Sequence, residues 1–127
     1  MAFYIWLDDN GINFKYNESD GMPYEFEGKI HMYFPDFQLL DNNVFIEIKG
    51  IHFFRPDGMM FNPFRYKGQS NAEYERSCRQ YEAKYQCMIR NNVRIILDPS
   101  DEVYKYKKYA EDRYGIDFWD KCRKVNS

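Results

Sequence analysis

Asp36, Glu47 and Lys49 are the residues whose types and spacing can do chemistry in this chain. They sit in Tyr33-Phe34-Pro35-Asp36-Phe37 and Phe45-Ile46-Glu47-Ile48-Lys49-Gly50. The stretch predicts two short strands joined by a tight turn. Along the second, Val44, Ile46 and Ile48 share one face, and Phe45, Glu47 and Lys49 share the other. Charges on a strand face of a small core are costly unless they have partners or a task. Two carboxylates held together select Mg²⁺ or Mn²⁺, which take one or two carboxylates plus water and substrate phosphate. The carbonyl of Ile48 can add a ligand. A cation held by Asp36, Glu47 and Ile48 would acidify a bound water and offset charge on a phosphoryl group. Lys49 can orient or deprotonate that water, or stabilise the transition state. These parts make a metal-dependent phosphodiesterase centre. The plainer alternative is an ion pair that fixes the hairpin.

The turn decides whether the centre exists. It lies within Asp41-Asn42-Asn43, residues that tolerate a left-handed backbone. With Asp41-Asn42 as the loop, Asp36 lies opposite Glu47; with Asn42-Asn43, it lies opposite Lys49. Both registers put Asp36 on the face of Glu47 and Lys49, because the side-chain period is two. A three-residue loop without a bulge would send it to the other face.

The same residues resemble the signature of the PD-(D/E)xK nuclease superfamily, whose fold is restriction-endonuclease-like. Within it, the likeness is to small phage-type junction-resolving and homing-type endonucleases, in which a strand like Gly11-Ile12-Asn13-Phe14-Lys15-Tyr16 precedes a similar hairpin. The resemblance covers about residues 11 to 97. It implies that Asp36 and Glu47 hold the metal, that Lys49 is catalytic, and that the protein is a Mg²⁺-dependent (or Mn²⁺-dependent) endodeoxyribonuclease. A homodimer and a phage gene in a bacterial host follow by analogy. One departure stands out. The family often adds a glutamate from its first helix, and residues 1–10 hold none. Glu18, Glu25, Glu27 or a partner subunit can substitute; otherwise the site holds one metal or is impaired. A catalytically inactive module that binds nucleic acid or protein is therefore the alternative function.

The elements that must position these residues follow in order. Ala2 to Asn10 predicts a helix stopped by Gly11. Ile12 to Tyr16 and Tyr24 to Glu27 alternate as strands, Gly28 interrupts, and Ile30 to Tyr33 resumes. Ser70-Asn71-Ala72-Glu73 is a capping box that starts a helix running to about Arg90. On that helix Tyr74, Cys78, Tyr81, Tyr85, Met88 and Ile89 form the core stripe. Arg76, Arg79 and Arg90 lie nearly opposite as a solvated face, and Cys87 falls away from the stripe. Val93 to Leu97 predicts a central, largely buried strand. Ser100 caps a helix reaching Tyr114 and stopped by Gly115, and Ile116 to Lys124 predicts a last short helix. The sum is one α/β domain over 1–127, a mixed central sheet of about four to five strands flanked by helices.

Residues 51–70 form a long aromatic and basic connection, and loops of this length are often functional. Arg55, Arg65 and Lys67 among its phenylalanines can hold phosphates beside stacked bases. The loop can equally pack on the sheet as a flap. Lys84, on the flank of the long helix, can reach a phosphate or stay solvated. Residues 1–50 carry three basic residues against nine acids and residues 51–127 carry 15 against 11, so the net −2 is −6 in one part and +4 in the other. That asymmetry suits a metal centre beside a phosphate-facing surface, or is ordinary scatter. DNA is the expected partner, with no membrane and no organic cofactor. Three cysteines without metal spacing, and an amino terminus without a basic leader, suggest a reduced, cytoplasmic setting.

Overall fold

The computed structural model describes residues 1–115. The helix expected over Ile116 to Lys124, with Cys122, lies outside the described residues. In chain order the elements are α1 (Ala2–Asp9), β1 (Phe14–Tyr16), β2 (Met22–Phe26), β3 (Lys29–Tyr33), β4 (Phe37–Leu39), β5 (Val44–Gly50), a 3₁₀ turn (Ile51–Phe53), α2 (Asn71–Arg90), β6 (Arg94–Asp98) and α3 (Asp101–Tyr114). The architecture is the expected α/β class. A four-stranded mixed sheet runs in the order β1-β4-β5-β6, and a separate two-stranded sheet is formed by β2 and β3. β4 pairs antiparallel with β1 and β5, whereas β5 and β6 are parallel because α2 carries the chain back.

Each boundary has a local cause. Asn10 caps α1 and Gly11 follows at φ 67°. The Ser70 hydroxyl accepts the Glu73 N–H at 3.1 Å to open α2. Ser100 does the same for α3 with the Val103 N–H at 3.2 Å. β2 and β3 are joined by Glu27 and Gly28, both at positive φ, the geometry of a two-residue hairpin turn.

The central sheet is covered on both faces. Phe37, Ile46 and Ile96 pack with Phe3 and Leu7 of α1 and with Val103 and Tyr106 of α3. The opposite cluster joins Met22, Tyr24, Phe26 and Tyr33 of the small sheet to Met60, Cys87, Met88 and Val93. Phe45 and Ile95 pack against that cluster. β5 therefore sends Val44, Ile46 and Ile48 into one core and Phe45 into the other.

Two expectations are corrected. Among the described residues β6 is not central: it lies at the end of the sheet and pairs with β5 alone. Its apolar run reads as buried, yet Leu97 is exposed and Arg94 reaches out to Glu102 at 2.6 Å. Cys87, expected away from the core, is fully buried, whereas Ile89 of the expected stripe is exposed. The reason is a second partner for α2. The β2–β3 hairpin lies along its flank, so Arg76 bonds Glu27, Gln80 bonds Tyr24, and the Cys87 sulfur approaches the carbonyls of Met22 and Pro23. A helical projection made against one sheet misses that stripe. Among the described residues, no helix is long and apolar enough to cross a membrane.

Candidate active site

The hairpin adopts the first of the two even registers. Phe37 pairs with Ile46, Gln38 with Phe45, and Leu39 with Val44 across the turn Leu40 to Asn43. Asn43 takes a left-handed backbone at φ 54°. The next position in this register sets Asp36 opposite Glu47. Phe37 goes into the α1/α3 core, so Asp36 and Gln38 face the side of Phe45 and Glu47.

Pro35 explains why the ladder stops there. The register would set it opposite Ile48, but proline has no N–H to give to the Ile48 carbonyl. Asp36 Oδ2 instead accepts the Ile48 N–H at 2.9 Å. The N–H and C=O of one strand residue leave on the same edge. The Ile48 carbonyl therefore opens on the Asp36 side, without the donor that an ordinary residue at 35 would supply.

Glu47 is only 5% exposed. The Tyr33 hydroxyl donates to its Oε1 at 2.8 Å. Burial, and then the charge of Asp36, push its carboxyl up to about 7; the Tyr33 bond and the Lys49 charge pull the other way. Burial and the adjacent Glu47 charge hold the Tyr33 phenol far above its usual range, so it stays a donor. Two acids that repel each other in a dry setting, beside the Ile48 carbonyl, fit a hard divalent cation. Among the described residues, no cluster of three or more His, Cys, Asp or Glu side chains joins them. Asp36, Glu47 and the Ile48 carbonyl could together offer three oxygens to such an ion, which would keep several waters.

Lys49 lies with its Nζ 4.5 Å from the centre of the Phe53 ring. Glu47 and Lys49 open into a cleft of about 320 Å³ that also holds Met32, Tyr33, Phe34, Met60, Tyr81, Lys84 and Met88. Lys84, placed on the flank from sequence, thus shares the cleft, its Nζ 5.5 Å from the Tyr81 ring centre.

The other expected residues are elsewhere. Glu27 is engaged by Arg76 at 2.7 Å. Glu25 faces outward on β2, and Glu18 lines a different groove with Asp8 and Lys15. The acids of α1 are also committed away from the cleft: Asp8 lies in that same groove, and Asp9 accepts hydroxyls from Tyr109 and Tyr114. The long connection packs largely as a flap, with Met60 buried and Phe53 and Phe54 against the core. Arg55 pairs with Glu82 at 3.6 Å, and Arg65 bonds Asn71 and the Gln69 carbonyl. Lys67 is exposed on the same loop.

Tyr33 is the participant that the sequence does not reveal. It belongs to the motif, but its contact with Glu47 depends on where the small sheet folds back. No protein-family model, curated protein or solved structure matches this chain.

Proposed function

We propose that this chain is a Mg²⁺-dependent or Mn²⁺-dependent endodeoxyribonuclease of the PD-(D/E)xK kind, cleaving DNA phosphodiester bonds. One observation supports the reading: the β4–β5 register, continued one position past Phe37–Ile46, turns Asp36 to the side of Glu47, and Asp36 Oδ2 accepts the Ile48 N–H. Asp36, Glu47 and Ile48 would hold the cation. When bound, it supplies an acidified water and neutralises charge on the phosphoryl group.

The protein's own groups do the rest. Glu47 must release its proton to bind, and the Tyr33 hydroxyl favours that ionised form while fixing the carboxylate's direction. The Ile48 N–H fixes Asp36. Lys49, steadied over Phe53, brings a positive charge to the attacking water and to the oxygens that gain charge. Lys84 offers a second cation for a neighbouring phosphate. A homodimer belongs to the same proposal through the family resemblance, and a reduced intracellular setting through three cysteines without metal spacing.

A second reading has its own observation. With Asp8 and Asp9 of α1 committed elsewhere, nothing on that helix supplies the family's extra acid. An inactive DNA-binding module would look the same there. The test is cleavage of plasmid, single-stranded and branched DNA with Mg²⁺ or Mn²⁺, by wild type and Glu47→Ala. The nuclease reading expects cleavage that disappears in the variant. No cleavage of any substrate, with DNA binding retained, would overturn it in favour of the module.

A further inference from the structure

β1 ends the central sheet on the side away from β6, and among the described residues it pairs with β4 alone. Its other edge keeps unfilled ladder positions, and the bonds already made show which residues own them. The Leu40 N–H donates to the Asn13 carbonyl at 2.9 Å, and the Asn17 N–H to the Asp36 carbonyl at 3.0 Å. Hydrogen-bonded positions alternate along an antiparallel pair, so Asn13, Lys15 and Asn17 face β4. Phe14 and Tyr16 turn their N–H and C=O groups the opposite way, where no strand of the described residues lies. A groove of about 490 Å³ is lined by all of β1 and by Tyr4 and Asp8 of α1. Phe14 and Tyr16 point to one face of the strand and Lys15 to the other, so a groove lined by all three passes along the open edge. Tyr4 meets the Phe14 and Tyr16 rings edge-on, with centres 5.0 and 5.4 Å away, and forms an apolar wall. Asp8, one helical turn beyond Tyr4, adds a carboxylate, and Glu18 adds another. Neither carboxylate has a hydrogen bond or ion pair among the described residues.

We propose that this groove binds an extended segment of a partner protein as a further strand on β1, a segment with a lysine or arginine two residues from a large apolar side chain. Main-chain bonds to Phe14 and Tyr16 hold the segment, and its alternate side chains give the specificity. The apolar side chain rests on Tyr4, and the basic one meets Asp8 and Glu18. The spacings agree: two strand residues advance about 6.7 Å, and the four helix residues from Tyr4 to Asp8 advance about 6 Å. The charge agrees too, because residues 1–50 carry −6. A second copy of this chain fits the edge poorly. Pairing Phe14 with the other copy's Tyr16 fills the open positions on both sides, but it sets the two Lys15 side chains directly opposite, where like charges destabilise. β4 separates β1 from β5 and its Glu47, so a bound segment leaves that cleft open. The inference therefore stands without the nuclease reading.

The test uses the full chain and two short peptides, one alternating threonine with tyrosine, lysine and valine, the other with glutamate in place of the lysine. Amide hydrogen exchange reads the edge. In the free chain the Phe14 and Tyr16 amides should exchange quickly and the Lys15 amide slowly. The lysine peptide should slow exchange at Phe14 and Tyr16 and leave Lys15 as it was. It should also bind wild type more tightly than the glutamate peptide does. Asp8→Lys, a change at an exposed position near the end of α1, should weaken the lysine peptide about fivefold, the upper range for one exposed ion pair, and strengthen the glutamate peptide. Equal affinity for the two peptides, equal affinity of wild type and Asp8→Lys for the lysine peptide, or no added protection at Phe14 and Tyr16 would each overturn the site. So would protection of those two amides before any peptide is added. Protection that rises with chain concentration would give the edge to a second copy, and protection at every concentration would give it to another part of this chain.

Discussion

Tyr33 donates its hydroxyl to Glu47 Oε1 at 2.8 Å, and this bond ties the small sheet to the central one. It also sets the balance on which the candidate site depends. Burial and Asp36 favour the neutral carboxyl; Tyr33 and Lys49 favour the carboxylate, and the balance falls at about 7. A structural ion pair would be built to stay ionised well below neutrality. Ionising Glu47 in this fold instead costs free energy, which a bound cation would offset.

Glu47→Gln should stabilise the fold in alkaline solution. The folded-state value lies above the ordinary 4.5, so the native protein holds more protons than the unfolded chain between 4.5 and about 7. Wild-type stability then falls as pH rises through that window. The loss amounts to about 3 kcal/mol by pH 8. Glutamine keeps an oxygen for the Tyr33 hydroxyl and has no proton to lose. The variant's advantage over wild type, measured by urea denaturation without metal, should grow by that amount from pH 4.5 to pH 8. Parallel curves for the two proteins would mean that Glu47 is not held neutral.

Tyr33→Phe should act through Glu47. Without the donor, ionising Glu47 becomes harder by about 1 kcal/mol, a typical net hydrogen bond. At subsaturating Mg²⁺, the midpoint of the pH–rate profile should move up by roughly 0.7 pH unit. Cleavage should be slower at pH 7 and recover at pH 9. A uniform loss at every pH would point to a purely structural role for the tyrosine.

The hairpin and its even register are legible in sequence because strand alternation and turn parity depend on local chemistry. Val44, Ile46 and Ile48 against Phe45, Glu47 and Lys49 is a period-two statement, and the Asn-rich turn allows the even register that occurs. Ser70 with Glu73 marked the start of α2 for the same reason. What failed was non-local. Cys87 was misjudged because a helical projection assumes one partner, and the hairpin supplies a second. β6 was misjudged because an apolar run reports two covered faces without reporting whether a further strand follows. Lys84 and Tyr33 reach the cleft from elements packed together only in the tertiary fold.

Divalent metal should stabilise the wild type and not the variants that lack a ligand. A site with a millimolar dissociation constant gives about 1.4 kcal/mol at 10 mM Mg²⁺. At pH 8, thermal denaturation should shift upward for wild type and stay put for Asp36→Asn and Glu47→Gln. The cation requires ionised Glu47, so the apparent affinity should weaken as pH falls below about 7. An equal shift in all three proteins would place the ion elsewhere.

Lys49 and Lys84 share one cleft but should fail differently. Lys49 follows Glu47 by two on the same strand face, so on the proposed reading its charge would act at the reacting phosphoryl group. Lys84 stands on α2 at the cleft, where on the proposed reading it would meet the flanking backbone. Lys49→Ala should lower kcat by a factor on the order of 100 with little change in DNA affinity. Lys84→Ala should leave kcat near wild type and weaken binding across sequences. It should also reduce the slope of log affinity against log salt by about one, the signature of a single lost phosphate contact. Binding titrations from low to moderate salt, in the Glu47→Gln background, separate the two. An unchanged slope for Lys84→Ala would remove that lysine from the DNA surface.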